Sequence, residues 1–129
     1  MQSKKNLNGA FTLVEIMIVV AIIGLLAAIA IPNFVRARTT AQMNSCINNL
    51  RQIDGAKQQW ALETRQATNA TPVVTDIDPY LGRAGSATSV VCPAGGASAT
   101  FGNSYTINAV NVAPVCQIVP SGNNAHVLQ

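Results

Sequence analysis

The sequence predicts an α+β protein in which one long N-terminal helix, half membrane-spanning and half amphipathic, packs on a small antiparallel sheet. Two observations support this prediction. Residues 16–35 form an uncharged run of 20 residues. Five of the six prolines and six of the nine glycines lie beyond Arg65, where short strands and loops are expected. The chain has 129 residues, which is enough for one small domain and leaves no room for a separate catalytic domain.

The charge distribution argues against catalysis and against nucleic-acid binding. The formal net charge is +3, but the eight basic residues are scattered and form no basic patch with interleaved aromatic residues. Residues 84–129 contain no Asp, Glu, Lys or Arg, so His126 is the only side chain there that titrates near neutrality. No nucleophile, base and orienting group stand at a spacing typical of hydrolases. We therefore expect no enzymatic activity.

The uncharged run of residues 16–35 predicts a membrane-spanning helix. At ~1.5 Å per residue, 20 helical residues cross a hydrocarbon layer of ~30 Å. The run is longer than the apolar core of a cleaved secretory signal, which has about 7 to 15 residues. Lys4 and Lys5 on one side are matched by Arg36 and Arg38 on the other. The positive-inside rule therefore does not orient the span.

An acidic residue, Glu15, directly precedes this run. A carboxylate near hydrocarbon must be paired or neutralised, which makes Glu15 a candidate functional residue. The alternative is that Glu15 lies among the lipid headgroups and that the span begins just after it.

Small residues and a proline mark the helix itself. Ala21, Gly24 and Ala28 recur at helical spacing and predict a smooth strip for close helix packing, although such residues are also common in solitary membrane helices. Pro32 removes a backbone donor, so we expect the helix to kink or open locally near residues 28–31.

Beyond the membrane run the helical pattern becomes amphipathic and continues to about Arg65. One face carries apolar residues, and these are Met43, Cys46, Leu50, Ile53 and Trp60. Residues 105–110 and 115–119 then predict a β-hairpin, residues 89–92 a third strand, and residues 69–81 a connecting loop. A sheet this small cannot bury both of its faces, so we expect one face to pack on the apolar face of the helix.

The segment Gly9-Ala10-Phe11-Thr12-Leu13-Val14-Glu15, followed by the apolar run and Pro32, resembles the N-terminus of type IV prepilins and type II secretion pseudopilins. The resemblance implies a leader of residues 1–10 that a prepilin peptidase removes, followed by N-methylation of Phe11. Glu15 would then be the fifth residue of the mature chain. The family usually has Gly directly before the cut, whereas this chain has Ala10 there, so cleavage after Gly9 is an open alternative.

The resemblance also implies a pilin-like organisation and a set of partners. Residues 11–35 would form the transmembrane and assembly helix, residues 36–65 the amphipathic helix of the head, and residues 66–129 the loop and sheet. The chain would be stored as a single-pass protein of the bacterial inner membrane with its head in the periplasm. It would join a helical homo-oligomeric fibre, in the periplasm or at the cell surface, with minor pilins or pseudopilins. An inner-membrane platform with a cytoplasmic ATPase would drive assembly.

If the chain assembles as the resemblance implies, the predicted assembly residues are Glu15, Ala21, Gly24, Ala28 and Pro32. The new amine of Phe11 is a cation, and it lies either four residues from Glu15 on the same helix or beside the Glu15 of a neighbouring subunit. An intermolecular pair would offset part of the cost of burying the carboxylate and would fix the axial stagger between subunits.

The three cysteines do not pair evenly. If the head lies outside the cytoplasm, a disulfide between Cys92 and Cys116 is expected, because both belong to the sheet segment. Cys46 belongs to the buried helix face and is expected to be a small buried hydrophobic residue, although a link from Cys46 to the sheet is the alternative. The cysteines and the distant His126 lack the close ligand spacing of a metal site, so none is predicted.

Asp76 and Asp78 could contribute oxygen ligands to calcium, but two carboxylates are weak support for a site. The major secretion pseudopilin carries acidic calcium ligands in its C-terminal head, and this sequence has no acid after Asp78. We therefore predict no cofactor.

The sequence thus favours a structural subunit of a type IV pilus-like or secretion pseudopilus fibre. One alternative is a competence pilin that binds DNA. Removal of Lys4 and Lys5 with the leader would leave six basic and five acidic side chains, which gives that alternative little electrostatic support. Another is a single-pass membrane protein that never assembles.

Overall fold

The computed structural model of the chain describes residues 9–81 and 86–128. Its long helix α1 spans Leu13–Thr64, and its sheet has two short antiparallel strands, β1 (Tyr105–Thr106) and β2 (Val115–Cys116). The predicted α+β class is confirmed. The chain divides into two compact units, residues 1–36 and 37–129, which are described separately. Most of the predicted leader, residues 1–8, lies outside the described residues.

The N-terminal unit contains the first part of α1. The helix begins at Leu13 and continues without interruption through Pro32, so the local opening expected at residues 28–31 is not found. Proline has no N–H to donate to the carbonyl of Ala28, and that single lost bond does not end the helix. This segment is long and apolar enough to cross a membrane, and none of its most apolar 18-residue window is buried.

The head unit has a hydrophobic core built on one face of α1. Cys46, Leu50 and Ile53 are fully buried on this face, as the apolar pattern predicted, and Trp60 packs against the core while remaining partly exposed. Ala56 of α1 also belongs to the core. The other buried residues of this cluster come from short segments after the helix, and these are Ile77, Leu81, Ala87, Val90, Cys92, Phe101, Tyr105 and Cys116. The head therefore folds against α1.

The sheet is smaller than predicted. Tyr105 pairs with Cys116 and Thr106 with Val115, so each strand has only two residues. The expected third strand is wrong, because Ala87–Ser89 forms a 3₁₀ turn and no strand follows it up to Cys92.

Short helical turns replace other expected irregular segments. The predicted connecting loop contains α2 (Val74–Ile77) and a 3₁₀ turn at Asp78–Tyr80. Further along the chain, a 3₁₀ segment spans Pro93–Ser98, and α3 (Phe101–Ser104) directly precedes β1.

Polar side chains of α1 hold the loops of the head in place. The Asn49 amide donates to the carbonyl of Val91 and to the hydroxyl of Tyr105, each at 2.9 Å. The Gln58 amide donates to the carbonyl of Val110 at 3.0 Å. Backbone carbonyls taken out of water need hydrogen-bond partners, and so short a sheet supplies few. The helix supplies them instead.

Lys57 makes the strongest of these anchors. Its side chain is fully buried, and its ammonium donates to the carbonyls of Ala109 at 3.1 Å and Val112 at 2.6 Å. Burial lowers the pKa of Lys57, while the carboxylate of Asp54, 3.4 Å away, opposes that shift. The amphipathic pattern did not predict a buried lysine. The buried ammonium group of Lys57 is tolerated because two backbone carbonyls and a carboxylate surround it.

We expect Lys57→Met to destabilise the head by about 1–3 kcal/mol, because it removes a buried charged donor from two carbonyls and leaves Asp54 unpaired. Each kcal/mol should lower the melting temperature of a domain of this size by about 4–8 °C. Thermal unfolding of the detergent-solubilised chain, followed by circular dichroism, measures this. Arg51→Met removes an exposed cation from the same helix and is the control. Equal melting temperatures for the two variants would contradict the anchoring role.

Candidate functional site

The predicted cleavage segment lies directly before α1. Gly9, Ala10 and Phe11 are exposed and have no regular secondary structure. An exposed backbone outside regular secondary structure is accessible to a peptidase. Both candidate scissile bonds, after Gly9 and after Ala10, lie in this segment.

Glu15 takes part in a reciprocal cap at the start of α1. The backbone N–H of Thr12 donates to Glu15 Oε2 at 3.4 Å, and the backbone N–H of Glu15 donates to Thr12 Oγ1 at 3.2 Å. This is a capping box, which satisfies two of the donors left free at a helix start. The charge of Glu15 makes it a candidate in the sequence, whereas its role in the cap was not predicted, although the Thr-x-x-Glu spacing is a signal for it.

The apolar surface of α1 is uncovered in the described chain. Every residue from 11 to 35 except Ala27 is exposed, and Phe11, Leu25 and Phe34 expose 77%, 66% and 69% of their surface. Ala21, Gly24 and Ala28 lie on this surface, and a Cβ placed on Gly24 would meet no atom within 4 Å. So large an apolar surface requires lipid or another protein to cover it.

A second candidate site lies inside the head, where the fold brings together all three cysteines and the only histidine. Cys92 Sγ lies 3.7 Å from Cys116 Sγ and 3.5 Å from His126 Nδ1, and Cys116 Sγ lies 3.8 Å from His126 Nδ1. With Cys46 Sγ, these four atoms lie within 4.8 Å of one another. The cysteines are fully buried and His126 is 2% exposed.

Four different segments supply these side chains. Cys46 lies on α1, Cys92 immediately precedes the 3₁₀ segment Pro93–Ser98, and Cys116 ends β2. His126 returns to the cluster through a turn at Gly122, whose positive φ of 104° suits glycine. The backbone N–H of His126 donates to the carbonyl of Val119 at 2.9 Å and closes that turn.

The interior position of the cluster sets its protonation. Burial raises the pKa of the Cys46 and Cys92 thiols, because it penalises the thiolate form. Burial lowers the pKa of His126, which favours a neutral imidazole. The Tyr105 hydroxyl hydrogen bonds to Cys46 and opposes the rise in its pKa. All three cysteines are free thiols in the structure, and the Cys92–Cys116 disulfide stays a prediction.

The two acidic residues considered as calcium ligands serve local backbone structure. Asp76 Oδ2 accepts a hydrogen bond from the backbone N–H of Val73 at 3.0 Å, at the start of α2. Asp78 Oδ1 accepts one from the backbone N–H of Ala87. Each carboxylate therefore has a structural role in the loop.

Comparisons with known proteins bear on the N-terminal site. The family model described as the prokaryotic N-terminal methylation motif matches residues 5–31. The type IV major pilin protein PilA of Myxococcus xanthus strain DK1622 is 46% identical over 56 residues, which are 43% of this chain and 26% of that protein. The N-terminal part of the chain is therefore similar to type IV pilins.

Other pilin-type proteins are similar to the chain over comparable lengths. A fimbrial protein of Pseudomonas aeruginosa is 41% identical over 69 residues, which are 53% of this chain and 45% of that protein. The type IV major fimbrial protein FimA of Dichelobacter nodosus is 41% identical over 63 residues, which are 49% of this chain and 40% of FimA. The chain thus spans less than half the length of these curated relatives. No solved structure matches it.

Proposed function

We propose that this chain is a structural subunit of a type IV pilus-like fibre, stored in the bacterial inner membrane and polymerised through its N-terminal helix. The observation that carries the proposal is the uncovered apolar surface of residues 11–35, most of which lies within the methylation motif matched at residues 5–31. In the membrane, lipid would cover that surface. In a fibre, the same surface of neighbouring subunits would cover it, which explains how one helix serves both states.

Among fibres, we favour a type IV pilus over a type II secretion pseudopilus. The relatives described above are named as pilin and fimbrial proteins. In addition, Asp76 and Asp78 bind backbone N–H groups, and the sequence has no acid after Asp78 from which a C-terminal calcium loop could be built.

The proposal includes partners that would process the leader, residues 1–10, and partners that would act on the N-terminal helix. A prepilin peptidase would cut before Phe11 on the cytoplasmic face, and the amine would be methylated. An inner-membrane platform with a cytoplasmic ATPase would extract subunits, with the head in the periplasm, and minor pilins would share the fibre. The exposed, irregular segment at Gly9, Ala10 and Phe11 supports the processing step.

We expect the mature chain to begin at Phe11 with a methylated amine, and hence to have 129 − 10 = 119 residues. N-terminal sequencing and intact mass of protein recovered from fibres measure this. Ala10→Gly restores the residue usual before the cut and should leave the site unchanged, which makes it the matched control. A mature chain that begins at Met1 or at Ala10 would show that the proposed cut is wrong.

Glu15 has two roles to separate. One is the charge, which would pair with the N-terminal amine of an adjacent subunit. The other is the cap with Thr12, which the structure shows within a single chain. Gln retains the capping geometry but loses the charge, because a capping box accepts Glu or Gln at this position. Thr12→Ala removes the hydroxyl of the cap and keeps the charge.

If the charge pair governs assembly, Glu15→Gln and Glu15→Ala should both insert and be processed but yield few fibres, since each leaves an amine unpaired in a low-dielectric interior at a cost of several kcal/mol. Thr12→Ala should still assemble, because loss of a helix cap costs only about 0.5–2 kcal/mol. The ratio of sheared fibres to the membrane pool measures assembly.

Glu63→Gln is the matched control, because it neutralises an acid near the other end of α1. Glu63 is exposed, and it bonds to Gln59 and Tyr80 within the head. This variant should assemble like the unmodified chain. Normal fibre yield from Glu15→Gln combined with failure of Thr12→Ala would reject the charge pair and assign the role of Glu15 to the cap.

A further inference from the structure

We propose that Cys46, Cys92, Cys116 and His126 form a structural zinc site inside the head. The proposal is independent of fibre assembly, because it rests only on the four side chains that the fold gathers in one place. Nothing in the sequence order suggests the site, since Cys92 and His126 are 34 positions apart and Cys46 lies on a different element.

The distances between the ligand atoms fit a tetrahedral ion. With Zn–S bonds of about 2.3 Å and Zn–N bonds of about 2.0 Å, a tetrahedron separates two sulfurs by about 3.8 Å and a sulfur from a nitrogen by about 3.5 Å. The Cys92–Cys116 pair measures 3.7 Å, and the two sulfur-to-His126 distances measure 3.5 and 3.8 Å. All four ligand atoms lie within 4.8 Å, so Cys46 needs only a small shift to complete the site.

The ligand set selects a soft or borderline metal. Three thiolates and one imidazole form a combination used in structural zinc sites. Calcium and magnesium are disfavoured because they prefer oxygen ligands, and these four side chains supply none. Four protein ligands complete the tetrahedron, and all four are buried. A closed coordination shell indicates a structural site rather than a catalytic one, which keeps a position open for water.

The surroundings suit bound thiolates. Three thiolates with Zn²⁺ carry one net negative charge, which hydrogen-bond donors stabilise. The Tyr105 hydroxyl bonds to Cys46, and its oxygen accepts in turn from the Asn49 amide at 2.9 Å. The backbone N–H of Cys92 donates to Ser104 Oγ at 3.2 Å, which holds that segment beside β1. On binding, each thiol releases its proton to solvent and His126 contributes its neutral imidazole.

A zinc ion would explain why all four side chains lie together, whereas a disulfide would explain only two of them. A Cys92–Cys116 bond would need the sulfurs to move from 3.7 Å to about 2.05 Å, and it would leave the Cys46 thiol and His126 buried beside it without a joint role. A zinc ion uses all four groups and ties α1, β2, the Cys92 segment and the C-terminal turn together. In a head with so short a sheet, such a clamp would supply folding energy directly.

The test uses the full chain, purified in detergent without a polyhistidine tag and without reductant. Elemental analysis should find about one zinc per chain. Alkylation of the denatured chain in the presence of a chelator should then label all three cysteines and show no disulfide. A native Cys92–Cys116 disulfide would overturn the proposal.

If the purified chain has three free thiols but no zinc, cobalt binding tests whether the four side chains form a metal site. Added Co²⁺ should bind one per chain and give the absorption of tetrahedral thiolate coordination, and added Zn²⁺ should abolish that absorption. Absence of the cobalt spectrum would overturn the proposal. These measurements on the unmodified chain decide the matter even if the ligand variants do not fold.

Two variants identify the ligands. His126→Ala should weaken zinc retention against a chelator at least tenfold and change the cobalt spectrum, a result that a disulfide account does not predict. Asp76→Asn is the matched control, because it alters a possible oxygen ligand outside the cluster, and it should keep one metal per chain and the same spectrum. Loss of metal in the control with retention in His126→Ala would overturn the assignment.

Discussion

The constraint on which the rest of the structure depends is the apolar surface at the start of α1. Residues 13–35 form a continuous helix whose surface is exposed in the described chain, and such a surface is not stable in water. Lipid or another protein must cover it. A helix makes nearly all of its backbone hydrogen bonds internally. It can therefore exist in either environment, because neither lipid nor a neighbouring helix has to supply hydrogen bonds to its main chain. Under the proposed function, storage in a membrane and assembly into a fibre would each cover this surface.

The same helix organises the head by a different means. Beyond residue 37, α1 offers an apolar face with Cys46, Leu50 and Ile53, together with polar side chains that reach the loops. The two-residue strands contribute little pairing, so Asn49, Lys57 and Gln58 supply partners for loop carbonyls. The fold of the head depends on the helix, because these three side chains bind segments that are more than 40 positions away in the sequence. The thiol and imidazole cluster adds a second point of attachment at Cys46.

Local patterns in the sequence predicted the long helix, its apolar half, its buried face and the position of the hairpin. They failed where contacts between distant residues decide the structure. Ala87–Ser89 has β-forming neighbours, yet it forms a 3₁₀ turn. Asp78 accepts a hydrogen bond from the backbone N–H of Ala87, and the Ser86 side chain accepts one from that of Thr88. The amphipathic pattern did not predict the burial of Lys57, which depends in part on carbonyls more than 50 positions away. The cysteines and His126 seemed too far apart for one site, a separation that the folded head removes.

The most direct measurement is cryo-electron microscopy of fibres sheared from cells that produce the chain. The account predicts filaments built from this chain, with residues 13–35 of neighbouring subunits packed together along the axis and the heads outside. The density should show Glu15 close to the N-terminus of an adjacent subunit. Filaments with a core made by another protein, or a chain that stays in the membrane as separate molecules under conditions where other pilins assemble, would contradict it.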